Sequence, residues 1–79
     1  GPIPKELGAL SALRDLRLDS NQLSDHIPRQ LGDLGALEIL DLSNNELEGP
    51  IPRELGKLAA LQYLNISDNN LSGELWRAT

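Results

Sequence analysis

Positions 37–47 read LEILDLSNNEL, and this stretch decides the fold. The same L-x-x-L-x-L-x-x-N-x-L pattern occurs at 13–23, and again at 61–71 with one leucine replaced by isoleucine. The copies lie 24 residues apart, and no insertion interrupts the register. A fixed period of this length indicates a repeat protein, in which each unit stacks on its neighbours to bury a continuous core.

The period divides the chain into repeats 1–24, 25–48 and 49–72, and residues 73–79 open a fourth copy. We expect residues 1–79 to form a single array. The chain starts at a glycine and stops within a repeat, so we also expect it to be a fragment of a larger protein. Each copy contains an Ile-Pro pair and, three residues later, a Leu-Gly pair.

Local structure within a repeat follows from residue spacing. Alternation of leucine with other residues, as at Leu16 and Leu18, predicts a short strand with one buried face. Equivalent strands should run parallel at a separation of about 4.8 Å. Proline after isoleucine suits the first position of a short helical or 3₁₀ turn, and Gly8, Gly32 and Gly56 are expected to keep these turns short.

An asparagine recurs after each predicted strand, at Asn21, Asn45 and Asn69, whereas the preceding residue varies between copies. A side-chain amide can donate to and accept from the backbone at once. We predict a structural asparagine ladder that satisfies the backbone where the chain turns. The alternative is that these are ordinary polar turn residues.

The pattern resembles the plant-type leucine-rich repeat, with its unit L-x-x-L-x-L-x-x-N-x-L-S-G-x-I-P-x-x-L-G, over essentially the whole chain. The resemblance implies an α/β solenoid: a right-handed leucine-rich-repeat coil with a concave parallel β-sheet and short 3₁₀ or helical turns on the convex side. It also implies a second short strand near Leu-Ser-Gly. Asp25-His26 and Glu48 depart from Ser-Gly, which weakens that expectation at two joints. The family's cysteine-paired caps are absent, so a complete ectodomain is not expected.

Outward strand positions vary between copies, and binding specificity can be encoded there. We predict a partner-binding face made of four columns across the strands: Arg14/Glu38/Gln62, Asp15/Ile39/Tyr63, Arg17/Asp41/Asn65 and Asp19/Ser43/Ser67. In-register pairing predicts the ion pairs Arg14–Glu38 and Arg17–Asp41. Exposed pairs contribute only about 0–1 kcal/mol, so the alternative is that they merely avoid like-charge neighbours.

Ile39 and Tyr63 differ from the rest of this face because they are apolar or aromatic. An aromatic anchor surrounded by polar groups is typical of an interface hot spot. We hypothesise that the two residues centre a protein contact whose rim is Arg17, Asp41, Asn65 and Ser67. The alternative is two scattered surface residues with no binding role.

Composition argues against several other functions. A formal net charge of −5 disfavours binding to nucleic acid and to anionic membrane surfaces, and no segment is apolar enough to insert directly into a membrane. With one histidine and no cysteine, we expect no metal site. No cofactor-binding motif is present, and the consecutive Ser24-Asp25-His26 cannot converge as a catalytic triad. We therefore expect neither a cofactor nor enzymatic activity.

The sequence thus favours a non-catalytic scaffold that recognises a protein or peptide, within a larger leucine-rich-repeat protein or receptor ectodomain. The alternatives are a structural spacer in a kinase or Roco-type GTPase, and an inhibitor of a secreted hydrolase. End-to-end self-association through uncapped ends is a further expectation, with Leu75 and Trp76 as a lid on the last turn. The resemblance favours an extracellular location, where the sequons at Asn65 and Asn70 could carry glycans.

Overall fold

A computed structural model describes residues 1–72, so the expected lid at Leu75 and Trp76 lies outside the described residues. Two parallel sheets and a row of 3₁₀ turns make up the coil. In chain order the strands are β1 (Asp15–Arg17), β2 (Ser24–Asp25), β3 (Ile39–Asp41), β4 (Glu46–Pro50), β5 (Tyr63–Asn65) and β6 (Asn70–Ser72). The 3₁₀ turns span Lys5–Ala9, Arg29–Asp33 and Arg53–Lys57. The predicted leucine-rich-repeat fold is confirmed, with no α-helix among residues 1–72.

The main sheet has the order β1-β3-β5 and follows the repeat period. Leu16 pairs with Leu40, and Leu40 with Leu64, so equivalent leucines lie one above another. Their flanking residues point to the opposite face, as the period of two requires. Two of the predicted outward columns, Asp15/Ile39/Tyr63 and Arg17/Asp41/Asn65, are therefore true neighbours across the strands β1, β3 and β5, and the other two flank these strands.

The second sheet has the order β2-β4-β6 and is present at both joints where the sequence departs from Ser-Gly. Its register differs from that of the main sheet, because Asp25 pairs with Leu47, 22 residues later. Asp25 takes a left-handed backbone with φ of 69°, and its repeat equivalent Gly49 has φ of 83°. Aspartate tolerates this region better than most residues, which explains why β2 still forms.

The core is concentrated in the middle coil. Its leucines have no accessible surface, whereas their counterparts in the outer coils, such as Leu18 and Ile66, remain half-buried. The fully buried set in this coil is Leu31, Leu34, Leu37, Leu40, Leu42 and Leu47. Only the middle coil has a described neighbour on both sides, as expected for a stack in which each repeat contacts those beside it.

Glycines on the convex side have a role different from the one expected. Neither Gly8 nor Gly32 has a left-handed backbone, so they do not end the turns by that route. Instead, a Cβ on Gly8 would collide with the carbonyl oxygen of Gln30, and one on Gly32 with that of Glu54. The missing side chain allows successive 3₁₀ turns to pack closely.

Candidate functional site

The asparagine ladder links neighbouring coils through half-buried hydrogen bonds. Asn45 Nδ2 donates to the carbonyl of Leu42 in its own repeat at 3.1 Å and to that of Leu18 in the preceding repeat at 3.0 Å. Its Oδ1 accepts from the backbone N–H of Leu23 at 3.0 Å. One side chain therefore donates and accepts at once, which is the bonding expected from the sequence.

Asn69 repeats this arrangement one coil later. Its Nδ2 donates to Leu42 at 2.9 Å and to Ile66 at 3.2 Å, and its Oδ1 accepts from the N–H of Leu47 at 3.0 Å. Asn21 Nδ2 donates to two carbonyls of its own repeat, those of Leu18 at 3.0 Å and Asp19 at 3.2 Å. The three asparagines thus stabilise the turns that position the outer face of the main sheet.

Ion pairing on this face agrees with the sequence at one column and differs at another. Arg14 donates to Glu38 Oε2 from Nη2 at 3.0 Å and from Nε at 3.3 Å, across β1 and β3 as predicted. The predicted Arg17–Asp41 pair is wrong, because Arg17 binds both oxygens of Asp15, at 2.9 Å and 3.2 Å. Asp15 lies two residues earlier on the same strand and points to the same side.

Two side chains in the centre of the face have shifted acid–base behaviour. The hydrogen bonds to Asp15, followed by its charge, raise the pKa of the Arg17 guanidinium. The hydroxyl and backbone N–H of Ser43 donate to Asp41 at 2.7 Å and 3.1 Å and lower the pKa of that carboxyl, with a smaller contribution from the charge of Arg17. Both groups are therefore held in their charged forms.

Ser43 is a correction to the predicted binding face. It is only 5% exposed, and its hydroxyl is used by Asp41, so it is not available to a partner. The equivalent Ser67 in the third repeat is exposed and donates in the same way to Asn65 Oδ1, at 2.7 Å.

Ile39 and Tyr63 pair across β3 and β5, and together with Arg17 and Asp41 they line a hollow of about 310 Å³, here called the Tyr63 depression. Tyr63 is 49% exposed, whereas Ile39 is half-buried. Asn65 Nδ2 donates to the Tyr63 hydroxyl at 3.2 Å, which ties the ring to the neighbouring rim residue. The geometry thus brings together the two proposed centre residues and most of their proposed rim.

The remaining predicted residues lie at the margins of this face. Asp15 is held by Arg17, and Glu38 is half-buried beside Arg14. Three further positions are exposed and lie outside the lining of the Tyr63 depression: Arg14, Asp19 and Gln62. The two sequons differ in setting, since Asn65 uses both side-chain polar atoms within the face, whereas Asn70 is exposed on β6.

A second group of polar residues was missed by the sequence reasoning. Asp25, His26 and Glu48 lie at the second sheet, with one ligand atom from each within 4.8 Å of the others. The signal available in the sequence was that Asp25 and Glu48 depart from the Ser-Gly of the repeat pattern. Beyond these surfaces, no helix within residues 1–72 has the length and apolar character to cross a membrane.

Comparisons with known proteins fit this geometry. A family model described as leucine rich repeat matches residues 11–71. A comparison with curated protein sequences gives no significant match. Among solved structures, the ectodomain of the plant membrane receptor kinase GASSHO1/SCHENGEN3 from Arabidopsis thaliana, in complex with CASPARIAN STRIP INTEGRITY FACTOR 2, is 47% identical with a TM-score of 0.92. The match covers 95% of this chain and 9% of that one.

Two further solved structures show the same likeness. The Arabidopsis receptor kinase HAESA, in complex with the peptide hormone IDA and the co-receptor SERK1, is 44% identical over 95% of this chain and 13% of its own, with a TM-score of 0.91. The ectodomain of the receptor kinase SOBIR1 from Arabidopsis thaliana is 40% identical over 95% of this chain and 41% of its own, with a TM-score of 0.90. The chain therefore spans less than half of each of these three chains, and it belongs to the leucine-rich repeat family in its plant-type, 24-residue form.

Proposed function

We propose that this chain is a non-catalytic recognition segment of an extracellular leucine-rich-repeat ectodomain, and that it binds a peptide or protein through the outer face of the main sheet. The observation that carries the proposal is the Tyr63 depression, an aromatic and aliphatic pair set among charged and amide groups. Two of the similar structures are complexes with a named peptide hormone or factor, which supports the same class of partner here.

Side chains around the depression are already held by the fold. Arg17 is fixed by Asp15, and the Tyr63 hydroxyl is fixed by Asn65. Groups that are ordered before binding lose less conformational entropy when a partner arrives, so a larger share of the contact energy appears as affinity. Arg17 and Asp41 carry opposite charges, so the partner must present an acidic or acceptor group to Arg17 and a basic or donor group to Asp41.

The size of the array limits how much of an interface it can supply. The main sheet has three strands of three residues each, so its outer face supplies fewer residues than the roughly 20–30 that each partner contributes to a standard protein contact. We therefore propose that these repeats contribute part of a longer recognition surface, whose remainder comes from further repeats of the same ectodomain. Affinity measured on the isolated segment should be correspondingly weak.

The test compares partner capture by the wild type, by a variant altered on the outer face of the main sheet and by a variant altered on the convex side. The variant Ile39→Ala/Tyr63→Ala removes the centre of the depression, and Arg53→Ala, on the exposed convex 3₁₀ turn, is the matched control. Recovery of bound peptides and proteins from the source extract is quantified by mass spectrometry. We expect partners to be lost from the double variant and retained by the control. Equal recovery from both would remove the Tyr63 depression from the binding site.

A structural role in assembly is a second candidate, supported by the first coil. Leu10 is 48% exposed, and Leu13 and Leu18 are only half-buried, so the first coil presents apolar surface that a preceding repeat or a second copy of the chain would cover. Exposed ends of this kind favour continuation or stacking of solenoids. Sedimentation velocity over a range of concentrations separates the candidates, because ordered chains of molecules indicate stacking and a constant monomer favours recognition.

A further inference from the structure

Two residues replace what the chain's other repeats carry, and the fold brings them together with its one histidine. Asp25 stands where the other copies have glycine, and Glu48 where they have serine. His26 occupies a variable position of the repeat, where the other copies have Pro2, Pro50 and Glu74. One ligand atom from each of Asp25, His26 and Glu48 lies within 4.8 Å of the others.

We propose that Asp25, His26 and Glu48 form a binding site for a divalent transition-metal ion of the zinc type. An imidazole nitrogen and two carboxylate oxygens are a donor set that such ions accept, and three protein ligands leave a position for water or a partner's group. Ligand atoms about 2.1 Å from one ion lie roughly 3.4 Å apart in a tetrahedral arrangement. Exposed side chains can close the remaining gap, at most about 1.4 Å between ligand atoms, by changes in their side-chain torsions.

The backbone explains why the three ligands converge. The pairing of Ser24 with Glu46 and of Asp25 with Leu47, continued by one residue, sets His26 beside Glu48 on the neighbouring strand. The imidazole lies against Gly49, where a Cβ would collide with its ring. Glycine at this point thus provides the space that the histidine occupies between β2 and β4.

Nearby charge favours a cation. A hollow of about 770 Å³ beside the cluster is lined by four carboxylates, Asp25, Glu46, Glu48 and Asp68, and its other described lining residues are serine and asparagine. No lysine or arginine is among those lining residues. Carboxylates of one sign around a concave surface raise the local concentration of cations.

The site would also have a mechanical effect. Asp25 ends β2 and His26 follows it, whereas Glu48 lies on β4. A bound ion would therefore cross-link adjacent strands of the second sheet. The strand β2 contains only two residues, Ser24–Asp25, and is the shortest in the coil as described. Binding to the folded state alone stabilises that state in proportion to ln(1 + [metal]/Kd), so metal should raise the melting temperature.

The experiment uses the 1–79 chain without a histidine tag and titrates it with Zn²⁺ by isothermal titration calorimetry. Asp25→Gly and Glu48→Ser restore the residues found in other repeats, so both variants should fold, and His26→Gln removes the imidazole at similar size. Glu46→Gln is the control, because it removes a carboxylate of the same hollow outside the cluster. We expect each of the first three changes to weaken zinc binding by at least about tenfold, as loss of metal-site partners does elsewhere, and the control to change it less.

A second readout is direct, because His26 is the only histidine in the chain. Zinc should shift its imidazole ¹⁵N resonances, and it should raise the melting temperature of the wild type and not that of His26→Gln. Zinc binding that leaves these resonances unchanged would overturn the proposal. So would Ca²⁺, which prefers six to eight oxygen ligands, raising the melting temperature as much as Zn²⁺ does. If Glu46→Gln weakened zinc binding as much as Glu48→Ser does, the binding would depend on general negative charge, and the proposed site would be wrong.

Discussion

Replacing Gly32 by alanine should separate two coils that now touch. A Cβ at this position would overlap the carbonyl oxygen of Glu54 and lie 2.8 Å from both its carbonyl carbon and its Cβ. Carbon atoms pack best at about 3.5–4.0 Å, so the 3₁₀ turns Arg29–Asp33 and Arg53–Lys57 would have to move apart by about 1 Å. The obstacle is mainly backbone, which cannot rotate out of the way as a flexible side chain could.

The magnitude follows from two opposing effects. Overpacking a filled interior costs about 1–3 kcal/mol, and the backbone obstacle places Gly32→Ala near the upper end of this range. Restricting the unfolded chain by replacing glycine with alanine returns about 0.4–1 kcal/mol. We expect the free energy of unfolding to fall by about 2 kcal/mol, which for a domain of this size lowers Tm by about 8–16 °C.

Urea denaturation followed by far-UV circular dichroism measures this loss, and the chain supplies its own control. Gly35 lies three residues later, and a Cβ there would meet nothing within 4 Å. Gly35→Ala also keeps a backbone outside the left-handed region, so it should be neutral or stabilise the fold by up to about 1 kcal/mol. If both variants unfold at the same urea concentration, close packing of the convex turns is not what requires glycine at position 32.

Three further changes test the ladder, the charged face and the sequons. Asn45→Ala leaves half-buried backbone groups of two repeats without partners and should lower the free energy of unfolding by about 3 kcal/mol, whereas Asn21→Ala, whose bonds are exposed, should cost about 1 kcal/mol or less by urea denaturation. The folded-state pKa of Asp41 is lowered from 3.8, so its carboxylate stabilises the fold above that pH, and the contribution is lost as the pH falls through the lowered folded-state pKa. As the pH is lowered from about 5, Asp41→Asn should therefore lose less stability than the wild type, measured by urea denaturation. On secretion from a eukaryotic cell, peptide mass spectrometry should find a glycan on exposed Asn70 and none on Asn65, whose side chain is engaged within the face.

The main sheet could be predicted from the sequence because two periods agree there. The two-residue period of a strand determines which leucines point inward. The 24-residue repeat determines which residues become neighbours, as Leu16, Leu40 and Leu64 show. The ladder followed from Asn45 and its equivalents for the same reason, since each recurs at one point of the coil. Regular repetition thus carries enough information to predict contacts between residues far apart in the chain.

Details that depend on competition or on position within the stack could not be predicted in this way. Arg17 had two carboxylates in reach, and the closer geometry of Asp15 on its own strand prevailed over Asp41 across the sheet. Ser43 lies between the coils on either side of it and is only 5% exposed, although the repeat pattern places it in an outward column. The repeat pattern predicts which residues lie side by side. It does not predict which of two carboxylates an arginine binds, or how far neighbouring coils bury a side chain.

The proximity of His26 and Glu48 shows a third kind of information that the repeat does not contain. A 24-residue alignment sets His26 beside Pro50, but the second sheet pairs residues 22 apart, which moves His26 to Glu48. The two-residue lag arises between the sheets, where Ser20, Asn44 and Asp68 all take a left-handed backbone at φ of 56–58°. Residues of the second sheet are therefore neighbours at a spacing of 22, and substitutions there must be compared at that spacing rather than at 24.

The asparagine at the turn between the two sheets allows a coil to keep its fold when residues on its outer face change. Asn45 bonds the preceding coil on both sides of the turn. Its Oδ1 accepts from the N–H of Leu23, just before the second sheet, and its Nδ2 donates to the carbonyl of Leu18, just after the main sheet. The backbone on both sides of the turn therefore depends on a side chain that is not part of the predicted partner-binding face. Outward positions such as Arg14 and Gln62 take no part in these hydrogen bonds, and changes there should alter stability by about 0.5 kcal/mol or less. A binding face built in this way can vary from repeat to repeat without loss of the scaffold.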